Sequence, residues 1–333
     1  MDKIISKESL IKKLVCFKAL FLLAALLFVS ADFTRAAFMD YGIGTRGGGK
    51  SGAFITTADD SSAGEWNVAA LLNVSGFDAM FEYYSPFTNL PNVSINHSYG
   101  AGAYGINDNM SAGASYMAFD GDGIYKSESY RVSFAAGNYD FIDFPFAVGV
   151  SLKYLNHSFF FDKGEPADID DPELNGTESA GDFTLDAGIL LEPVFDMPVG
   201  ISVKNILPAD VGIYNEDIVP LEAALGVGYR ILPSGGFFRE ILPEAFASYR
   251  DQEWGTEDDK INMGAGVEMW SSERVLGLRA GVNRYEASVG GSYTLDLGVS
   301  GIRIDYAAML PFVDFSDHWG HHRISFSYMM GGR

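Results

Sequence analysis

A chain of 333 residues leaves room for one large domain or a pair, and its composition narrows the choice. With 44 Asp+Glu against 23 Lys+Arg the chain repels a phosphate backbone, so no nucleic-acid partner is expected, and a 47% hydrophobic share excludes a solvated, disordered chain. Many Gly, Tyr and Phe, few Lys and a single Cys point to a large β protein without disulfides, a membrane barrel among the candidates.

The N-terminus reads as a signal peptide over residues 1–36. Lys3, Lys7, Lys12, Lys13 and Lys18 precede an uncharged, Leu-rich run from Ala19 to Ala31, which is too short to span a bilayer as a helix and suits a signal-peptide core. Cleavage fits after Ala31 or after Ala36. Removing residues 1–36 takes away six bases, three acids and Cys16, leaving 17 bases against 41 acids, or −24. The exported chain has no thiolate for zinc or for nucleophilic chemistry. Residues 37–72 then form a glycine-rich N-terminal segment, and period-two patterning fills 73–333.

In that patterning Met263, Ala265, Val267 and Met269 alternate with Asn262, Gly264, Gly266 and Glu268, as on the two faces of a strand. Phe183 to Leu191, Glu222 to Ile231, Ile302 to Tyr306 and Ile324 to Tyr328 repeat the alternation. A sandwich with its apolar face inward would show the same pattern. The polar face here carries Gly and isolated charges of both signs, namely Lys153, Asp186, Lys204, Glu222, Arg230, Glu268, Arg279, Arg303 and Asp305. That suits side chains paired within a lumen, with the apolar face turned to lipid. Aromatics at strand ends (Phe81, Tyr83, Tyr84, Phe87; Phe159, Phe160, Phe161) match an interfacial girdle.

The expected fold is all-β, a transmembrane antiparallel barrel of about fourteen strands. These fall near 75–87, 92–107, 110–121, 126–138, 144–161, 182–193, 197–207, 219–232, 241–253, 258–273, 275–285, 286–296, 301–312 and 321–330. With both termini on the inner side, the long connections 162–181, 208–218, 254–257 and 313–320 face outward. Most inner connections are brief, 233–240 being the exception.

Gly44 to Phe54 (GTRGGGKSGAF), Ile55 to Ala63 (ITTADDSSA) and Glu65 to Leu71 (EWNVAAL) resemble the N-terminal signature of the PorV/PorQ family, relatives of the FadL-type channels. Scattered likenesses follow in Gly200 to Leu207, Leu278 to Asn283, Ile304 to Ala307 and His322 to Ser327. Val68, Ala70 and Lys50-Ser51 depart from the family pattern, and the chain ends in Met-Met-Gly-Gly-Arg instead of an aromatic residue. The resemblance implies a FadL-like barrel with residues 37–72 folded into the lumen as a hatch. Gly44, Arg46, Gly49, Gly52, Phe54, Asp59, Asp60, Trp66 and Asn67 would then be its key residues. Asp59, Asp60, Ser61 or Ser62 can cap a short helix whose apolar side is Trp66, Ala69, Ala70 and Leu71.

Candidate chemistry is thin. Asp314, His318 and His321 have metal-ligand types but no helical spacing, and a polar outer loop explains them better. The acidic run from Asp162 to Asp182 lacks the EF-hand pattern, and five histidines with no nucleophile–base pattern argue against an enzyme. No cofactor or metal is expected. Two functions remain: a plugged channel taking up hydrophobic or amphipathic small molecules, or a secretion accessory of the type IX kind holding exported cargo at the outer face. A structural barrel without transport is a remote third. The partners would be outer-membrane lipid together with a small molecule or a cargo protein.

Overall fold

In the computed structural model, the described residues are 43–86, 88, 95–137, 144–160, 177–194, 196–213, 215–251, 260–312 and 319–331. The signal-peptide reading, the start of the hatch at 37–42, Phe87, Phe161, Asp314 and His318 lie outside them. Fourteen antiparallel strands form a closed barrel: β1 (Phe77–Ser85), β2 (Ile95–Asn107), β3 (Met110–Gly121), β4 (Tyr125–Gly137), β5 (Phe146–Phe160), β6 (Thr177–Val194), β7 (Met197–Lys204), β8 (Glu222–Gly228), β9 (Phe238–Arg250), β10 (Ile261–Ser271), β11 (Leu276–Asn283), β12 (Glu286–Asp296), β13 (Ser300–Pro311) and β14 (His321–Met330). Each strand pairs with its sequence neighbours. The last closes on the first, with Phe77 opposite Met330 and Ser85 opposite His322. Closure removes every edge over the height shared by all strands, which a membrane-spanning sheet requires.

The alternation sorts as the composition implies, apolar out and polar in. Val132, Phe134, Val148, Val150 and Leu152 are exposed on the outer surface of β4 and β5, while Arg131, Ser133, Ser151 and Lys153 between them are buried inside. On the outer face of β3 to β6 the rings of Tyr116, Tyr130, Tyr154 and Phe183 stand in a row, with successive centroids 4.9, 6.3 and 4.9 Å apart. Just beyond that row on the same face, Lys126 pairs with Glu128 at 2.8 Å. A change from aliphatic through aromatic to charged along one face marks a hydrocarbon boundary. Tyr84, read from sequence as part of a girdle, points inward instead, with the Arg323 guanidinium over its ring at 4.0 Å.

Strand lengths differ from expectation in two places. β6 begins at Thr177, five residues before the expected start, because Thr177 to Gly181 pair with Phe160 to Asn156 of β5 above the girdle. There neither face needs to be apolar and the periodicity fades. β7 and β8 are shorter than expected. Asn205 takes φ 57° at the end of β7, and Pro208 and Pro220 flank a connection that leaves the wall. This 205–221 connection folds inward over the barrel mouth, where Ala209, Val211 and Val219 pack on the lumen side of Leu155. The long connections lie at one end and most short turns at the other, so by the usual asymmetry the long-loop end faces outward. Inner connections 138–145 and 229–237 are the longer ones at the short-turn end.

Residues 43–73 run inside this wall as a single turn of helix (Thr45–Gly48), a second (Ala63–Trp66) and a 3-10 stretch (Val68–Asn73). Lumen-facing glycines let it approach the strands. A Cβ at Gly281 would sit 2.2 Å from the Lys50 carbonyl carbon, and one at Gly149 2.5 Å from that of Val68. Gly281→Val should therefore unseat the hatch without opening the barrel. Limited proteolysis is expected to cut within 43–73 in the variant only, while heat-modifiable migration on gels stays that of a folded barrel.

Candidate functional site

The hatch is assembled around one guanidinium. Arg46 lies at the end of the first helical turn, where Gly44 (φ 92°) and Gly52 (φ 90°) bend the chain sharply on either side. Its Nε and Nη2 donate to the two oxygens of Glu268 on β10 at 3.0 and 2.6 Å, a bidentate fork. Its Nη1 donates to Asp59 at 2.5 Å and to Asp60 at 3.0 Å, both in the hatch. Its guanidinium lies over the rings of Phe54 and Trp270 at 5.0 and 5.3 Å. Arg46 is wholly buried.

From this centre the ion pairs run outward into the wall. Glu268 is shared with Arg279 at 3.2 Å, Arg279 meets Asp305 at 3.3 Å, and Asp305 meets Arg303 at 2.9 Å. Arg303 returns to Asp60 at 3.2 Å. The circuit thus joins the hatch to β10, β11 and β13. A branch leaves through Asp59 to Arg274 at 2.5 Å and on to Glu240 at 2.7 Å and Arg230 at 3.3 Å, at the short-turn rim. Arg274 and its neighbour Glu273 sit at φ 51° and 55°, the two central positions of a tight hairpin turn that glycine or asparagine usually occupies. The unfavourable backbone holds Arg274 over Asp59.

Further anchors fasten the rest of the hatch. Glu244 on β9 accepts from the backbone amides of Ile55, Thr56 and Thr57 at 2.6, 3.0 and 3.2 Å and from the Thr57 hydroxyl at 2.8 Å. Glu82 on β1 accepts from the Thr45 hydroxyl at 2.7 Å and pairs with Arg323 at 3.2 Å. Asp78 accepts from the Ser61 amide at 2.9 Å. Arg131 on β4 donates to the Gly64 carbonyl and pairs with Glu65 and Asp186 at 2.6 Å each, and Lys153 joins Asp186 at 2.9 Å. The apolar seam is Phe54, Ala58, Ala63, Val68, Ala69, Ala70 and Leu71, against Ala103, Ala135, Ala147 and Leu190 of the wall.

The sequence-derived residues thus divide. Arg46, Asp59, Asp60, Glu268, Arg279, Arg303 and Asp305 converge on the central circuit. Gly49 lies against Arg279, where a Cβ would come within 2.7 Å, and Phe54 meets Trp66 edge-on at 6.1 Å. Asn67 accepts from the Ala69 amide at 3.1 Å and donates to the Ile189 carbonyl at 3.1 Å. Lys204 and Glu222 pair at 3.7 Å near the outer mouth, apart from the circuit, and Arg230 lies past the end of β8, half exposed. The helix cap differs from expectation. Asp59 and Asp60 are held by arginines, Ser62 occupies the N-cap without a capping bond, its hydroxyl donating to Asp60 at 2.6 Å, and Asn67 caps the 3-10 stretch. His321 stands at the start of β14 beside Tyr84, and the described residues hold no cluster of three metal-ligating side chains. Glu82, Glu244 and Arg131 were missed, yet each is a lone charge alternating with outward apolar residues, the signal that found Glu268. Arg274 sits in a turn, where no periodicity marks it.

Two chambers flank the hatch. One of about 470 Å³ opens at the long-loop end and is floored by Ile55, Gly52 and Phe246; the other, about 340 Å³, opens at the short-turn end beneath Thr56, Asp59 and Asn73.

Burial alone would raise the Asp59 carboxyl, but the guanidiniums of Arg274 and Arg46 outweigh it and hold the group well below the usual carboxylate range. The stabilisation is fully present above the unfolded value of about 3.9 and is lost as pH falls below it towards the depressed folded value. The midpoint of heat-modifiable unfolding should fall on acidification below about pH 4, and the Asp59→Asn variant should show a flatter acid limb. Arg46→Ala leaves the Glu268 carboxylate short of its bidentate partner, a loss of about 3–5 kcal/mol for a broken buried pair. A lower unfolding midpoint and transient conductance steps in planar bilayers are expected, with Arg46→Lys intermediate because it keeps the charge and loses the fork.

Comparisons with known proteins agree on the architecture. A crystal structure of a Pseudomonas aeruginosa FadL homologue superposes with a TM-score of 0.56 at 13% identity, over 89% of this chain and 100% of that one. The Ralstonia pickettii toluene transporter TbuX gives 0.54 at 14%, over 88% and 99%, and the Pseudomonas putida toluene transporter TodX 0.51 at 10%, over 90% and 100%. At such identities the likeness is one of fold. No curated protein matches the chain. The block Gly44 to Leu71 that resembles PorV/PorQ lies ahead of the region matched by a family model, residues 81–328, whose description is "Type IX secretion system membrane protein PorP/SprF". With three quarters of its length covered by that model, this outer-membrane β-barrel belongs to the PorP/SprF family.

Proposed function

We propose that the protein serves type IX secretion as a hatch-closed outer-membrane subunit that engages another protein, and not as an open pore. One observation carries this reading: the hatch is tied to strands around the barrel by buried ion pairs, through Arg131, Glu268 and Arg303, and by hydrogen bonds to the buried carboxylates Glu82 and Glu244. A plug meant to move aside for each passing molecule would have to break several such pairs together, and each break leaves a charge buried without its partner. The family assignment and the PorV/PorQ-like hatch block support the same reading. What remains for function is what the barrel presents at its two ends, which is where loops of a rigid scaffold carry recognition.

The outer chamber favours a second reading. Its aromatic and apolar floor, with Tyr84, Phe246 and Tyr249, suits an amphipathic small molecule, and structures of similar fold include toluene transporters. Uptake would require the hatch to leave its circuit or to open a path beside it.

A deletion strain separates the two. Loss of the gene is expected to leave type IX cargo inside the cell while growth on toluene or long-chain fatty acids is unchanged, and the purified protein should be silent in planar bilayers. Intact secretion together with lost uptake overturns the proposal.

A further inference from the structure

The barrel wall is uneven at the long-loop end. β2 to β6 rise together, with Ile95 opposite Gly121, Gly121 opposite Tyr125, Tyr125 opposite Phe159 and Phe160 opposite Thr177. β7 does not follow them. On that side its pairing with β6 ends with Ala187 opposite Val203, and one more backbone bond, from the Ile206 amide to the Leu185 carbonyl at 2.8 Å, precedes the turn of the 205–221 connection into the lumen. Residues 177–183 of β6 therefore have β5 along one edge and, among the described residues, no backbone partner along the other.

Strand geometry identifies the groups left over. The N–H and C=O of one residue in an antiparallel strand point to the same side, and the side switches at each residue. Leu185 turns its carbonyl towards β7, while the Glu192 amide bonds the other way, to the Pro145 carbonyl at 3.0 Å. Odd-numbered residues thus face the gap. Ser179 and Gly181 present both backbone groups there, and Phe183 presents its carbonyl, its amide donating to the Asp182 carboxylate at 2.7 Å. All three residues are exposed. Where β6 enters the membrane, below the aromatic row that ends in Phe183, Ile206 covers the edge, as hydrocarbon demands. Above that row the edge is open, and an open edge is a template for another strand.

We propose that the 177–183 edge takes up an extended segment of an exported protein as an added strand, bonded through its main chain to Ser179, Gly181 and Phe183, with basic and apolar side chains in alternation. Charge selects the basic residues. Residues 177–183 include Glu178 and Asp182, the adjoining 205–221 connection includes Asp210, Glu216 and Asp217, and neither stretch contains a Lys or Arg. On the outer face, the exposed Phe183 ring favours an apolar cross-strand neighbour. This chain supplies no such segment beside the edge. A second copy pairing edge to edge would set the same acids against each other, and residues 161–176 contain six acids against one base, with Pro166 and Pro172 lacking an N–H to donate. The proposal rests on the reading of the barrel as a protein-engaging subunit with its long loops outward. It adds the element that engages and the chemistry of the partner.

The test uses the full-length protein in detergent and three labelled heptapeptides: Val-Lys-Val-Arg-Val-Lys-Val, the same sequence with its three central amides N-methylated, and the acidic Val-Glu-Val-Asp-Val-Glu-Val. Fluorescence anisotropy should show saturable binding of the first, weaker at higher salt, and none of the other two, because N-methylation removes main-chain donors while keeping every side chain and charge. Ser179→Pro takes away an amide that faces the gap and none that bonds to β5, as edge positions tolerate. With heat-modifiable migration like the parent's, it should bind the basic probe at least about tenfold more weakly, the scale of one or two lost hydrogen bonds. Asp182→Asn should weaken it by a smaller factor. Equal binding of the N-methylated or the acidic probe, or parental affinity in a folded Ser179→Pro variant, overturns the proposal. So does a dimer that Ser179→Pro converts to monomer in sedimentation, which would assign the edge to a second copy. Should Ser179→Pro fail to fold, the N-methylated probe on the parent protein decides alone. Peptide binding is read on pure protein and secretion in cells, so failure of either reading is seen without the other.

Discussion

The hatch depends on a charge that has nowhere else to go. Once the barrel closes around Arg46, its guanidinium is out of water, and an unpaired ion there would be far costlier than any single contact in the lumen. Glu268, Asp59 and Asp60 satisfy its donors at 2.5 to 3.0 Å, and each acid is in turn shared with a second base. The arrangement is closed: Arg279, Arg303 and Arg274 offset the surplus negative charge that three carboxylates around one arginine would create. Net stability from such a network is modest, because desolvation of the ions takes back most of the Coulombic gain. Its consequence is specificity of seating, since any displacement of the hatch by a few ångströms separates several pairs at once.

The same network restrains the wall. Because side chains alternate with period two, a one-residue slip of β10 or β13 would turn Glu268 or Asp305 to the lipid and bring Met269 or Ile304 into the lumen. Charged groups facing hydrocarbon cost about 2–4 kcal/mol each near the membrane centre for Arg and Lys, and the buried partners left behind add to that. Hatch and register therefore enforce each other: the wall places the carboxylates, and Arg46 penalises every other placement. Glycine supplies the space. Gly266 and Gly281 lie where the Lys50 backbone meets the wall, and Gly149 and Gly188 where Val68 and Asn67 do, so a polar lumen can be filled by main chain without a gap that needs water.

Much of this was legible in the alternation, and its limits are physical. Strands bounded by lipid on one face and hatch on the other, such as β10 with Met263 to Glu268, show period two clearly because both faces are constrained. Above the aromatic row neither face is, so Thr177 to Gly181 of β6 carried no signal. β7 and β8 misled in the opposite direction: Val219 continues the pattern as the expected start of β8, but it packs with Leu155 inside the mouth and not on lipid. The circuit's wall charges were visible one by one, as polar residues between apolar neighbours. Their convergence on Arg46, across 222 residues in the case of Glu268, was not, since sequence spacing carries no information about which strands face one another across a lumen. Arg274 left no trace at all, because its role comes from a strained turn and not from periodicity.

A plug fixed this firmly shifts the question of function from the lumen to the ends of the barrel. A chamber opens at each end. At the long-loop end Lys204, Arg250 and Lys260 are each engaged, with Glu222 and Asp251, and at the short-turn end Arg230 is engaged with Glu240 beside a chamber roofed by the hatch. The branch from Arg46 through Asp59 and Arg274 to Glu240 and Arg230 reaches that same rim. The chamber beside Asp59 is therefore one ion pair away from the charge that holds the hatch, and Thr56 and Thr57, which line it too, are held separately by Glu244.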